Sequence, residues 1–173
     1  MHEFDPGDLI NYNEKVTGSL LKCVAEKNDL PQFIYAHFLL PHHPYLFDST
    51  GHFVSFNAAT MNREEAYLSY LKYANGKITD LVSKMIKADP AAIIVIMSDH
   101  GYRDMVYTLG AKPYYFDNIC AIRNISLPAS STITLSNVNF FRYFFNTYFG
   151  QQFTYLPDST IALSDKYHKT GDY

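Results

Sequence analysis

The sequence predicts an α/β fold, a mainly parallel sheet flanked by helices. Three observations carry this expectation. Residues 32–40 (Q-F-I-Y-A-H-F-L-L) and 91–97 (A-A-I-I-V-I-M) are short, nearly continuous apolar runs, the pattern of strands buried on both faces. Prolines bound them: Pro31 and Pro41 on the first, Pro90 just ahead of the second. Between them runs a long stretch with helical spacing. Strand, helix, strand is a crossover unit, which implies parallel pairing and a right-handed connection.

Each element has its own justification in order. Pro6-Gly7-Asp8 reads as a turn with Asp8 as N-cap. Leu9, Tyr12, Val16, Leu20 and Cys23 then recur at three- and four-residue steps, so a helix is expected over about 9–27. The strand at 32–40 follows, then a polar loop through Asp48-Ser49-Thr50-Gly51. Asn62 and Glu65 have the spacing of a capping box. Tyr67, Leu71, Ala74, Ile78, Leu81, Val82 and Met85 mark one face of a helix to about Ala88, with Gly76 as a weak point. After the strand at 91–97 come a loop rich in Tyr and Gly (101–116) and a strand at 117–123. Ser136 is placed to cap a helix over 137–149, with Gly150 as its stop. Its Val138, Phe140, Phe141, Phe144, Phe145, Tyr148 and Phe149 read as core, because burying such side chains is worth roughly 1.5–3 kcal/mol each.

Composition sets the outer limits. The chain has 173 residues, 47% hydrophobic and 18% charged, enough for a sizeable core and too apolar for a disordered segment. The length suits a single α/β domain over 1–173. A formal charge of −3 offers no basic footprint, so nucleic acid is not an expected partner. No run approaches 18 apolar residues, and Met1-His2-Glu3 opens no signal peptide. Cys23 and Cys120 are far apart and form no C-x-x-C, which excludes a zinc knuckle and a thioredoxin motif; Cys23 reads as a helix core position and Cys120 as a strand position.

In parallel sheets ligands gather beyond the carboxyl ends of the strands. The run 32–40 leads into Pro41-His42-His43-Pro44-Tyr45, and 91–97 leads into Ser98-Asp99-His100-Gly101. A single crossover would bring both ends to one sheet edge. Asp99 and His100 offer a carboxylate oxygen and an imidazole nitrogen, donors suited to zinc or manganese, the carboxylate also to calcium. The bland alternative is a turn cap beside a surface histidine. His42 and His43, held between prolines, suit a phosphate or sulfate oxygen; Arg103 suits the same oxyanion or plain solvent. His37 reads as a satisfied core histidine inside its strand. His52 has no supporting context, and Ser98 is expected to point away from Asp99 by strand alternation. Dinucleotide, Walker A, zincin and nucleophile-elbow motifs are absent.

The segments Y-A-H-F-L-L-P-H-H-P-Y (35–45), Y-L-S-Y-L-K-Y-A-N-G-K-I (67–78) and I-I-V-I-M-S-D-H-G-Y-R-D (93–104) together resemble the sulfatase-like branch of the alkaline phosphatase superfamily. That branch includes sulfatases, phosphonate monoester hydrolases, phosphoethanolamine transferases and lipoteichoic-acid synthases. S-N-V-N-F-F-R-Y-F-F-N-T-Y-F-G (136–150) looks like the helix after their last core strands, so the resemblance spans roughly 30–160. It implies an alkaline-phosphatase-like α/β fold acting on phosphate or sulfate esters, with Asp99 and His100 as ligands of a divalent metal (zinc, manganese or calcium). It also implies that His42 contacts the transferred group, while His43 has no counterpart. An extracytoplasmic, membrane-anchored parent follows from the resemblance alone, its membrane contact lying in another, N-terminal region.

The sequence departs from the family pattern at its start. Relatives carry an acidic metal ligand and a Thr, Ser or modified Cys nucleophile well before the P-H-x-P segment. Here 41 residues precede His42, with no C-x-P-x-R or S-x-P-x-R signature, and Thr17 and Ser19 fall mid-helix. The expectation is therefore the C-terminal part of such an enzyme, with no catalytic nucleophile and an incomplete metal site that releases its ion on dialysis. The alternative is a non-catalytic α/β interaction domain with a relic metal site.

Overall fold

The computed structural model describes residues 6–26, 28–54, 63–102, 117–126 and 136–157. Five elements occur there: α1 (Pro6–Ala25), α2 (Arg63–Ala88), β1 (Ile94–Met97), β2 (Cys120–Arg123) and α3 (Asn137–Phe149). The chain forms two compact units, Met1–Ile94 with Arg103–Lys112, and Val95–Tyr102 with Pro113–Tyr173.

In the first unit, α1 begins at Pro6, earlier than the expected cap at Asp8. A proline costs nothing at the first helical position, where its missing N–H has no acceptor to lose; Asp8 then lies inside the first turn, facing the helix dipole favourably. α2 buries Ala66, Tyr70, Ala74, Leu81 and Met85. The buried line is centred on Ala66 and Tyr70, so Tyr67, Leu71, Ile78 and Val82 flank it, half-buried. Asn62 of the expected capping box lies outside the described residues. Against α2 packs the segment after Pro44, where Tyr45 and Leu46 are buried. Phe47 stacks on Tyr73 with ring centroids 4.8 Å apart. Burial, with Tyr73 nearby, pushes the Tyr70 phenol up to about 12. α1 is more loosely held. Leu9 is its buried anchor, Lys77 of α2 reaches Glu14 at 3.3 Å, and a cavity of about 150 Å³ remains among Leu9, Phe38, Tyr70 and Leu81.

The expected strand at 32–40 is not a strand. The segment has no regular secondary structure and pairs with no strand among the described residues, and Phe33 and Tyr35 are 80% and 78% exposed. What fixes it is α1: the Asn13 carboxamide takes the Leu39 N–H at 2.9 Å and gives Nδ2–H to the Leu39 carbonyl at 3.3 Å. Tyr12 donates to the His37 carbonyl. His37 is exposed, not a core histidine. A continuous apolar run records affinity for an apolar surface; it does not supply the neighbouring strand.

The sheet is correspondingly different. β1 and β2 form a two-stranded antiparallel pair, so a mainly parallel sheet is not found among the described residues. With 32–40 unpaired, the single-crossover reason for placing its end beside that of β1 is gone. Both strands are shorter than the sequence suggested, and β1 is half-buried along its length. α3 has the expected limits. Ser136 Oγ accepts from the Val138 N–H, and Gly150, at φ 63°, closes the helix by donating its N–H to the Phe145 carbonyl. Asn139, Phe140 and Tyr143 are its buried face, while Phe141, Phe145 and Phe149 are exposed. The apolar stripe is thus wider than the face it buries.

Candidate functional site

The first candidate group lies in the first unit, in the turn 41–45. The Leu40–Pro41 and His43–Pro44 peptides are both cis. His42 and His43 are exposed. The His42 Nδ1 bonds to the backbone carbonyl of His43. A carbonyl only accepts, so Nδ1 carries the proton and Nε2 is the atom left to meet a ligand. His43 is placed differently, edge-on to the buried Tyr45 at 5.4 Å.

The second group follows β1 in the second unit. Ser98 continues the ladder: its N–H donates to the Ile119 carbonyl at 3.1 Å, and its Oγ accepts from the Ile119 N–H at 2.9 Å. The hydroxyl is thus tied to the neighbouring strand. Asp99 is 88% exposed at its side chain and His100 31%. The Asp99 carboxylate accepts the His100 N–H at 3.1 Å. The His100 Nδ1 donates to the Gly101 carbonyl at 2.6 Å, which again leaves Nε2 free of its own proton, 3.8 Å from Asp99 Oδ2. Two donors each about 2.1 Å from one ion at the tetrahedral angle stand roughly 3.4 Å apart. A histidine whose other ring N–H is fixed by a carbonyl is the usual arrangement of a metal-binding imidazole. In donor type and spacing the pair suits a divalent cation. Among the described residues no third His, Cys, Asp or Glu joins it. Arg103 lies outside the described residues.

The structure also gives His52 a context the sequence did not. Residues 46–54 form a small hairpin through a Phe47–Phe53 bridge. Asp48 takes the Thr50 hydroxyl at 2.6 Å and the N–H groups of Thr50 and His52. The Thr50 hydroxyl, in particular, lowers the Asp48 carboxyl to about 2. His52 Nδ1 lies 2.8 Å from the same hydroxyl. This places a hydroxyl beside a base. Its geometry is that of a side chain closing a turn on its own backbone, and Gly51 at φ 90°, with the Tyr73 ring packed against it, completes the bend. The signal was the D-x-T-x-H spacing itself, which names a turn and not the third partner. The other Ser and Thr groups so fixed include Thr17, whose hydroxyl donates to the Asn13 carbonyl within α1.

No curated protein and no solved structure matches the chain. A family model, Sulfatase, matches residues 8–119, more than half of the sequence and a span that includes His42, His43, Asp99 and His100. The chain belongs to the Sulfatase family, within the sulfatase and alkaline-phosphatase-like superfamily.

Proposed function

We propose that the protein serves the hydrolysis or transfer of phosphate or sulfate esters, with Asp99 and His100 as ligands of a divalent cation and His42, taken by itself, as a contact for an anionic oxygen. Proteins of its family act on sulfate esters and generally use a divalent metal. The observation that carries the reading is shared by both turns: each histidine has Nδ1 committed to the carbonyl of the next residue, leaving Nε2 for a ligand. A cation bound there would supply charge stabilisation for a departing or attacking oxygen. His100 presents a lone pair and Asp99 a carboxylate oxygen. His42, when protonated, donates from Nε2 to an anionic oxygen, and so favours the charge-rich transition state. His43 packs on Tyr45 and braces the turn; Arg103 is assigned to an oxyanion.

The covalent step is assigned to a nucleophile that the described residues do not supply. Ser98, Thr17 and Thr50 each have their hydroxyl engaged in a structural hydrogen bond. Equilibrium binding of inorganic phosphate and sulfate in the presence of Mn²⁺ tests the reading. Saturable binding is expected, weakened roughly 10–100-fold in His42→Ala, the loss of one charge-assisted hydrogen bond. Absence of binding by either anion would overturn it.

A further inference from the structure

Asn137 occupies the first position of α3, directly after the capping residue Ser136. Its carboxamide turns to the sheet: Nδ2 donates to the Ser98 carbonyl at 2.9 Å, 39 positions earlier in the chain. Ile119 already holds the Ser98 N–H and hydroxyl. With Asn137 added, the N–H, the carbonyl and the hydroxyl oxygen of Ser98 each have a partner.

The Ser98 carbonyl and the Asp99 N–H belong to one planar peptide group. Fixing that carbonyl fixes the plane from which Asp99 leaves β1. Asp99 needs such a device, because its carboxylate is largely exposed and its contacts among the described residues are with the adjacent His100. Packing therefore does not aim it; the backbone does.

We propose that Asn137 is a positioning residue, a strut from the start of α3 that sets the direction of the Asp99–His100 turn and so the affinity of that pair for a divalent cation. The cation part rests on the function proposed above; the strut itself does not. Supporting groups of this kind alter metal affinity by about 10–100-fold when removed.

The test compares the full chain with Asn137→Ala, Asn137→Gln, Asn137→Asp and Ser136→Ala. Two readouts are taken: amide hydrogen exchange at residues 99–101 without metal, and Mn²⁺ affinity by titration. Asn137→Ala should speed exchange at 99–101 relative to the rest of the chain and weaken Mn²⁺ binding about tenfold. Asn137→Gln, which keeps an N–H donor, should recover part of both. Asn137→Asp keeps the size and suits a helix N-terminus but has no N–H to give, so it should fold and still show fast exchange at 99–101. Ser136→Ala removes the α3 cap and leaves the strut, so it should change neither readout selectively. Unchanged exchange in both Asn137→Ala and Asn137→Asp, or equal effects from Ser136→Ala, would overturn the proposal. If wild type binds no Mn²⁺ while exchange still responds to Asn137 alone, the strut stands and the cation reading falls.

Discussion

Asn13, Asn139 and Asn146 each set a carboxamide against a segment without regular secondary structure and pair with both the N–H and the C=O of one residue, Leu39, Leu156 and Phe153 respectively. Each does for one residue what a neighbouring strand would do. Asn139 is also buried, at 3% exposure, and its removal leaves the Leu156 N–H and C=O without the partner that holds them. Asn139→Ala should cost about 1–3 kcal/mol, the penalty of such a loss, read from urea unfolding. Asp48 makes a prediction about pH. Its folded value of about 2 lies below the ordinary 3.8, so the unfolded state binds the proton more tightly. Its contribution is fully present above about pH 4 and fades as pH falls toward 2. Asp48→Asn should therefore be less stable than wild type at neutral pH, with the gap closing over that acid window; a gap independent of pH would show that the turn does not depend on the carboxylate. None of these partnerships was legible in the sequence, because an asparagine's partner lies 7 to 26 positions away and no local pattern encodes it.

The helices were legible and the sheet largely was not. A helix satisfies its backbone within itself, so three- and four-residue spacing plus a cap at Ser136 and a stop at Gly150 was enough to give α3 its limits. A strand needs a partner, and the run 32–40 names none. The pairing expected of it is not found among the described residues. Amides of 32–36 should consequently exchange with solvent much faster than those of β1; equal protection would show that this segment is paired. Within α3, Phe140 is 1% exposed, and Phe140→Ala should cost about 3–5 kcal/mol. Phe149→Ala, at an exposed position, should cost far less. The comparison of their unfolding midpoints separates the buried part of the aromatic stripe from the rest.

For the molecule as a whole, the family was legible because its motifs are short and continuous: P-H-H-P-Y and S-D-H-G could be read without any tertiary structure. What they could not show is how their atoms are held, namely the His42 and His100 Nδ1 bonds to adjacent carbonyls and the strut from Asn137. The function proposed here predicts that aryl sulfates and aryl phosphates are not turned over by this chain with added zinc, manganese, magnesium or calcium. Turnover abolished by Ser98→Ala or Thr50→Ala would place the nucleophile within it. The central claim is that Asp99 and His100 hold a divalent cation, and Mn²⁺ titration of wild type, Asp99→Ala and His100→Ala tests it most directly. One Mn²⁺ per chain is predicted, bound weakly enough to be lost on dialysis, because two protein donors fall short of a closed site, and abolished by either substitution. No saturable binding by wild type, or binding that survives both substitutions unchanged, would contradict it.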